Sequence, residues 1–502
     1  MRNAKKVSRA VIIAYIIIAV NTFSSLVLAP YIIGVVGKSQ YGVFNLINSF
    51  TSALIVLDFG LGQAITRFVA VYKAKNDQEN INKLCYHSFL ILGVILLLIS
   101  LVSVILYPVF ELIYSNSLSS SEMALAKIIY WISIAELLCL VIQDAISGFV
   151  SGSNCYDVVN FVKLLCLSIR IAASYVVLIW IHNVTAIVVV QLCACIFGLS
   201  LNFLYMTGKL KIKPEIPAID KQIMKSLIAY TGLLLLSTIA SQIDSNTDNM
   251  VIGAFAGVEA VAVYSFGIRI YKMVEQLSSN ISLVMLPTIS NLVVNQADHR
   301  IIEDFIAKVG KIQYMLIGAV DAAFIIYGKG FVTLWLGEEY IEAWTISLIL
   351  MLSSTIPLIE NVTISVLRAK NYMLFRVVAL FTGAILNLMS TVVLVKEFGY
   401  IYAACSTAIC CIVVRIIIMN IYYYKRLGLH MLKVLWNIMA RITVSLVFTA
   451  AVSYAVTGNV CDSWRELFIK VMVFCLLYAV FVMVIGFSSD EKKYYYKKLI
   501  RR

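Results

Sequence analysis

A chain of 502 residues in which 61% are hydrophobic and only 13% are charged has too little interior to hide its apolar surface from water. Its mean hydropathy of +0.93 therefore makes lipid the solvent and excludes a soluble protein. A net charge of +13 would suggest nucleic acid in a soluble protein, but the basic residues cluster at the ends of apolar segments. There they set orientation and meet anionic headgroups, so we expect membrane lipids and no nucleic acid as partners.

Long apolar runs predict the transmembrane helices, since about 20 apolar residues cross a bilayer. We place about fourteen spans, so the predicted fold class is an all-α integral membrane protein. The first run follows a basic stretch, but it is too long for a signal peptide and is interpreted as a retained helix. The predicted span centres lie near residues 22, 55, 95, 135, 168, 195, 234, 268, 315, 352, 384, 411, 446 and 476.

The loops alternate in charge. Lys and Arg residues occur at the N-terminus, after spans two, six, eight, ten and twelve, and in the C-terminal tail, whereas the other loops are acidic or nearly uncharged. Basic loops remain in the cytoplasm, so both termini are predicted to be cytoplasmic. An even number of spans agrees with this orientation.

An internal repeat divides the chain. YIIGVVGKSQYGVF (31–44) aligns with MVIGAFAGVEAVAVY (250–264) with a one-residue gap, which pairs Gly34 with Gly253. Each half has six spans, so both copies face the same way, and the repeat predicts two parallel lobes related by a pseudo-two-fold axis, as in many alternating-access carriers. The predicted divisions are an N-terminal six-helix lobe (1–210), a cytoplasmic inter-lobe linker (211–222), a C-terminal six-helix lobe (223–428) and two extra helices with a basic cytoplasmic tail (429–502).

Span eight carries a polar stripe. At about 100° per residue, its polar residues fall within an arc of roughly 80–100°. A face with two cations cannot contact lipid, so it faces an aqueous cavity or a helix that carries acids. The alternative to the cavity is an internal ion pair with Asp244 or Asp248 of span seven. The stripe consists of Ser265, Arg269, Lys272, Gln276 and Asn280.

Span two, the repeat mate of span eight, presents a comparable polar face that includes Asn45, Asn48, Ser49, Ser52 and Gln63. Arg67 falls on the same face near the cytoplasmic end. A continuous helix would place Asp58 roughly 140° from Asn45, which predicts a structural role for this acid. Gly60 and Gly62 are predicted to allow close helix packing.

Other ionisable residues lie within apolar spans and are candidates for function because their burial is costly. The cations are Lys163 and Arg170 in span five and Arg415 in span twelve. Glu136, Asp244 and Glu360 are candidates to carry a coupling proton, with a salt bridge or a helix cap as the alternative for each. The chain has no Walker A loop and no zinc-type cysteine spacing, so neither a cofactor, a metal nor a catalytic residue is predicted.

Two stretches resemble the Wzx-type polysaccharide flippases, which carry O-antigen or capsule repeat units, of the multidrug/oligosaccharidyl-lipid/polysaccharide (MOP) exporter superfamily. LDFGLGQAITRFVAVYKAKND (57–77) is similar to the span-two signature of that family, with Asp58, Gly60, Gly62 and Arg67 in the expected order. TDNMVIGAFAGVEAVAVYSFGIRIYKM (247–273) is similar to its second-lobe start and includes Asp248, to which we assign a structural role. The resemblance covers roughly residues 8 to 425.

This resemblance implies a MATE-like pair of six-helix lobes in the bacterial cytoplasmic (inner) membrane. It implies translocation of undecaprenyl-pyrophosphate-linked oligosaccharide repeat units from the cytoplasmic to the outer leaflet, with a polymerase and chain-length machinery as candidate partners. Cations suit the diphosphate, and amides and hydroxyls suit the sugars. The expected cations are Arg269, Lys272, Arg170, Arg67 and Arg415, and the expected polar residues are Asn45, Asn48, Ser52, Gln63, Gln276 and Asn280.

Two rival functions stay open. A MATE-like drug or cation antiporter would need a cavity dominated by acids, and several carboxylates share the membrane region with the cations. A membrane polysaccharide polymerase or glycosyltransferase would need catalytic groups on a substantial outer loop or domain, and the loops here are short.

Overall fold

The computed structural model describes residues 2–213, 221–295, 298–370 and 372–487, and within these ranges the chain is almost entirely helical. Part of the predicted linker and most of the predicted basic tail lie outside the described residues. The helices are α1 (Arg2–Ala53), α2 (Leu61–Ala74), α3 (Gln78–Tyr114), α4 (Ser120–Gly152), α5 (Tyr156–Trp180), α6 (Val184–Leu204), α7 (Lys221–Val294), α8 (His299–Leu336), α9 (Glu342–Ile359), α10 (Asn361–Ala369), α11 (Met373–Phe398), α12 (Ile401–Cys410), α13 (Met419–Tyr422), α14 (Met431–Thr457) and α15 (Trp464–Phe481).

Twelve segments of the described chain are long and apolar enough to cross a membrane. Two helical segments are especially long: the candidate span Ile16–Ala74 has 59 residues, and α7, which contains the candidate span Asn246–Ser282, has 74. At about 1.5 Å per residue, each far exceeds the hydrocarbon thickness of about 30 Å. Each holds two of the predicted span centres, at 22 and 55 and at 234 and 268, so the twelve candidate spans of the described chain are roughly consistent with the fourteen predicted.

Both long segments are interrupted at a glycine. Gly37 in α1 has φ 81° and ψ 170°, and Gly257 in α7 has φ 79° and ψ 174°. This backbone region is open essentially to glycine alone. The one-residue gap in the repeat alignment brings these two glycines opposite each other, so both copies of the repeat break their helix at the same place.

Residues 1–262 form one compact unit. Within it α4 packs against α2 and α6, and α1 packs against α5. The first part of α7 belongs to this unit, since Asn249 Nδ2 donates to Ser49 Oγ at 2.9 Å and the Tyr114 hydroxyl donates to the Met250 carbonyl at 2.9 Å. The compact unit therefore extends beyond the predicted linker, because this part of α7 packs on the first lobe.

Residues 263–502 form the second compact unit, in which α8 packs against α9 and α14. The sequence left the role of the last two helices open. In the structure α15 packs on both α14 and α8. The hydroxyl of the buried Tyr327 lies 2.8 Å from Ser453 Oγ and 2.7 Å from Thr457 Oγ1, so hydrogen bonds as well as apolar contacts join α14 to α8.

Candidate functional site

A polar cavity of about 620 Å³ lies inside the first unit, which is within the usual size range of small-molecule sites. Residues of α1, α2, α4, α5, α6 and α7 line it, together with the segment Leu54–Asp58. Five of the lining residues are charged and four are glutamines. The charged residues are Asp58, Glu136, Asp144, Lys163 and Arg170, and the glutamines are Gln63, Gln143, Gln191 and Gln242.

A smaller cavity of about 280 Å³ adjoins the first one, since both are lined by Glu136 and Gln191. Its other polar groups are hydroxyls and amides, so they can both donate and accept hydrogen bonds. Ser52 Oγ donates to Asn246 Oδ1 at 3.2 Å, which fixes part of this surface. The polar lining consists of Asn45, Asn48, Ser49, Thr51, Ser52, Ser133, Glu136, Gln191 and Asn246.

The charges in the larger cavity are arranged in pairs across α4 and α5. Glu136 interacts electrostatically with Arg170, and Asp144 interacts with Lys163. On each helix the two charged residues are about two turns apart, so each helix presents both to the same side. The described lining carries three acids against two bases, because Asp58 adds a third carboxylate close to Asp144. The buried Oδ1 of Asp58 has no hydrogen-bond partner in the described part of the chain.

The placement of Asp58 corrects the sequence prediction. The expected angle of roughly 140° from Asn45 assumed one continuous helix. Instead, Leu54–Asp58 is a 3₁₀ turn, and Phe59 and Gly60 follow in the left-handed conformation with φ 55° and 69°. The change of direction turns Asp58 into the same cavity as Gln63. The glycine after an apolar run was the signal that this helix ends there.

Gly62 brings α2 close to α4. A Cβ atom at this position would clash with the Asp144 carboxylate and would lie 2.7 Å from the Asp144 carbonyl oxygen. One turn further along α4, a Cβ atom at Gly148 would lie 2.6 Å from the Gly62 carbonyl. The close approach of the two helices therefore holds the Asp144 side chain directly against Gly62 at the cavity wall.

Asp144 and Gln191 are cavity residues that the sequence reasoning missed. Both interrupt apolar helices, and Asp144 follows Glu136 by about two turns, which places the two acids on similar sides of α4. A search for ionisable residues in every apolar span would have found Asp144. Gln191 is neutral, and its position in the sequence gives no comparable signal.

In the second unit, Arg269 and Lys272 on α7 have close partners from their own helix. The guanidinium of the half-buried Arg269 lies over the Phe266 ring, 5.5 Å from its centroid. Lys272 is exposed, and its Nζ lies 2.8 Å from Glu275 Oε2. The sequence had proposed Asp244 or Asp248 as the acid for an internal pair, whereas Glu275 neutralises Lys272.

The remaining predicted site residues are distributed over both units. Arg67 is exposed on α2, and Asp248 is buried on α7. Gln276 and Asn280 are half-buried on α7, and the side chain of Asp244 lies outside the described residues. Arg415 lies in a π-helical stretch and interacts electrostatically with Tyr271. Glu360 is buried at the junction of α9 and α10, and its Oε1 atom has no hydrogen-bond partner among the described residues.

The family follows from a comparison of the whole chain with known protein families. Residues 7–293, more than half of the chain, match the family described as polysaccharide biosynthesis protein. The chain belongs to this family. An uncharacterised membrane protein of Methanocaldococcus jannaschii is 19% identical over 382 residues, which cover 74% of this chain and 75% of the relative.

Two solved structures share the fold of this chain. The lipid II flippase MurJ in its inward closed conformation has a TM-score of 0.74 at 13% identity and covers 98% of this chain and 99% of its own. An inward-facing MATE multidrug resistance transporter of the MOP superfamily has a TM-score of 0.68 at 14% identity and covers 80% and 96%. The predicted all-helical, MATE-like fold is thereby confirmed.

Proposed function

We propose that this protein is a flippase that moves undecaprenyl-pyrophosphate-linked oligosaccharide repeat units from the cytoplasmic to the outer leaflet of a bacterial cytoplasmic membrane. Transport proceeds by alternating access of the two repeat-related lobes. The observation that carries the proposal is the cavity of the first unit, where Lys163 and Arg170 stand beside a wall of amides and hydroxyls. The family and the transporter fold support the same class of function.

The chemistry of the cavity suits the two polar parts of such a substrate. Sugar hydroxyls both donate and accept hydrogen bonds, as do the side chains of Asn48, Ser52 and Gln191 that line the smaller cavity. A pyrophosphate is recognised best by a guanidinium, which can donate two parallel hydrogen bonds, so Arg170 is the preferred anchor and Lys163 a second positive charge. The polyprenyl tail remains in the bilayer.

The acids beside these cations suggest how transport is coupled. Glu136 interacts electrostatically with Arg170, so a substrate diphosphate must compete with it for the guanidinium. A proton that binds the Glu136 carboxylate removes its charge and leaves Arg170 available to the diphosphate. In this scheme Glu136 is the coupling acid, and the other candidates are Asp244 in the first unit and Glu360 in the second.

A MATE-like cation antiporter is the second candidate, and one observation favours it. Three acids and two bases line the larger cavity in the described chain, so its formal charge is slightly negative. An organic cation would bind there if Asp58 and Asp144 rather than Arg170 contacted the substrate. A polymerase or glycosyltransferase is the least supported function, since the family match and the fold point to a transporter.

Reconstitution separates the two transport functions. Purified protein is placed in liposomes with fluorescent undecaprenyl-pyrophosphate-linked oligosaccharide. Movement of the labelled lipid between the leaflets is measured by the accessibility of its label to a quencher added outside. The wild type is expected to move the label, Arg170→Gln to slow the movement at least about tenfold, and the matched surface variant Lys127→Gln to leave it unchanged. Failure of the wild type to move the label, together with uptake of an organic cation, would replace the flippase with the antiporter.

The proposed topology has an independent test. If the C-terminus lies in the cytoplasm, as proposed, a fluorescent protein fused after residue 502 should fluoresce. A periplasmic phosphatase fused at the same place should be inactive. The opposite pair of results would refute the orientation. Cross-linking in the same cells tests whether a polysaccharide polymerase or chain-length protein lies next to the transporter.

A further inference from the structure

A separate cavity of about 330 Å³ lies in the second unit between α8, α9 and α14. Its wall is mostly aliphatic, and Asp321 supplies its one carboxylate among the described lining residues. The Asp321 side chain is only 4% exposed. It stands about 15 residues from the end of α8, or about 22 Å at 1.5 Å per residue, and so lies deep within the membrane-spanning segment.

Asp321 is only partly satisfied by the protein. Thr355 Oγ1 donates to Asp321 Oδ2 at 2.8 Å, but the same hydroxyl lies 2.9 Å from the Met351 carbonyl and has a single proton to share. The buried Oδ1 atom has no hydrogen-bond partner in the described structure. A buried carboxylate in this condition is costly, so an additional group that compensates its charge would stabilise the site.

The wall of the cavity offers no compensating cation. No Lys, Arg or His is among the described residues that line it, and Tyr314 is the other titratable group. The Tyr314 hydroxyl lies 2.7 Å from Thr443 Oγ1, which gives the phenol a partner of its own. The missing charge must therefore come from a ligand or a proton.

The cavity is bordered by exposed apolar side chains. Ile325, Leu352 and Val447 line it and are 48%, 51% and 61% exposed. Exposed aliphatic side chains on membrane-spanning helices contact lipid, so the opening lies towards the bilayer. A ligand that reaches Asp321 by this route must partition into hydrocarbon.

We propose that this cavity binds a protonated lipophilic amine. Its ammonium group donates a hydrogen bond to Asp321 Oδ1 and supplies the missing positive charge, while its hydrocarbon packs against Met439, Leu446 and Ala450. A metal cation fits poorly, since it would find one carboxylate and one threonine hydroxyl where it needs several oxygen ligands. A neutral lipid chain would fill the cavity but leave Oδ1 without a partner. The site lies in a different unit from the proposed substrate cavity and does not depend on the flippase proposal.

Equilibrium dialysis of the purified full-length protein in detergent tests the site, with tritiated 4-phenylbutylamine as the probe. The wild type is expected to bind the amine saturably. Asp321→Asn keeps the shape of the side chain but removes its charge, so it should weaken binding at least about tenfold. Thr355→Val should weaken it less, since Thr355 contacts only the other oxygen. Asp462→Asn, the same change at an exposed carboxylate of the same unit, should bind like the wild type.

Three results would overturn the proposal: no saturable binding to the wild type, equal binding to Asp321→Asn, or equally tight binding of the neutral analogue 4-phenylbutanol. The last would show a purely apolar groove that takes hydrocarbon without regard to charge. A thermal unfolding curve for each variant shows whether a variant that does not bind the amine is still folded. Thr355→Val provides an independent change at the same site. The lipid-flipping assay is separate, so a failure of either proposal is recognisable without the other.

Discussion

Gly37 and Gly257 share almost the same backbone conformation, with φ/ψ of 81°/170° and 79°/174°, at matching positions of the internal repeat. Each interrupts one of the two longest helical segments of the described chain. Two segments can share a helical pattern because both are apolar. A helix break at matching positions, in a φ/ψ region that residues other than glycine avoid, arises far more rarely by chance. The pair therefore supports the two-lobe repeat more strongly than the short alignment does.

Replacing either glycine by alanine should destabilise the protein through backbone strain. A Cβ atom at Gly37 would meet nothing within 4 Å, and at Gly257 its nearest neighbour is the Ser117 carbonyl at 3.7 Å, so sterics add little. The conformation itself costs a residue with a side chain about 1–3 kcal/mol. Gly37→Ala and Gly257→Ala should each lower Tm in detergent by several degrees. Gly34→Ala is the control, because Gly34 has helical backbone and open space around it. If this variant lowers the Tm equally, strain at the kink is not the cause.

Gly62→Ala should disturb the packing of α2 on α4. The added methyl group must displace the Asp144 carboxylate, and it also approaches the Asp144 backbone, which cannot move independently of α4. Overpacking of this kind costs about 1–3 kcal/mol. We expect a lower Tm and, because Asp144 lines the cavity, reduced transport by the folded fraction. Gly93→Ala adds a methyl group where nothing lies within 4 Å and should leave Tm unchanged; if both variants behave alike, close packing is not the cause.

The sequence predicted the membrane spans well because hydropathy follows directly from the cost of leaving backbone and polar groups in hydrocarbon. Every predicted span centre falls within an α-helix of the structure except residue 55, which lies in the 3₁₀ turn Leu54–Asp58, and residue 411, which begins a π-helical stretch. Which polar residues share a helix face was also predictable where the helix is continuous, as for Asn45, Asn48 and Ser52, which line one cavity.

Side-chain partners were harder to predict, for two physical reasons. Helical phase fails where the chain leaves the helix, and the turn at Phe59 and Gly60 moved Asp58 into the cavity. Lys272 also pairs with Glu275, an i,i+3 neighbour on its own helix, although Glu275 is not part of the predicted polar stripe. Electrostatic interactions between spans, such as that of Glu136 with Arg170, depend on tertiary packing that a single sequence does not encode locally.

Arg269 and Lys272 should differ in their importance for export, although the sequence treats them alike. Lys272 is exposed and already paired with Glu275, whereas Arg269 is half-buried over Phe266. If the stripe contacts the diphosphate, Arg269→Gln should reduce surface polysaccharide at least about tenfold and Lys272→Gln by less, since hydrogen bonds to charged groups contribute about 1.5–3 kcal/mol. Surface polysaccharide is measured on whole cells and corrected for the amount of protein in the membrane.

Lys127→Gln, a neutralised exposed lysine on α4, is the control for the loss of a positive charge. If it reduces export as much as Arg269→Gln, the effect reflects net charge rather than contact with the substrate. If export survives both Arg269→Gln and Lys272→Gln, the cationic stripe is structural, and the substrate cations must be sought at Lys163 and Arg170 in the first unit.

Tyr327→Phe should loosen the added helix α14 from α8. The Tyr327 hydroxyl is buried between Ser453 Oγ at 2.8 Å and Thr457 Oγ1 at 2.7 Å, and its removal leaves two hydroxyls of α14 without this partner. The expected cost is about 1–3 kcal/mol, seen as a lower Tm and faster proteolysis between α14 and α15. Tyr454 lies on α14 and is 55% exposed, so Tyr454→Phe should change neither the Tm nor the rate of proteolysis. If Tyr327→Phe is also silent, apolar packing alone holds α14 in place.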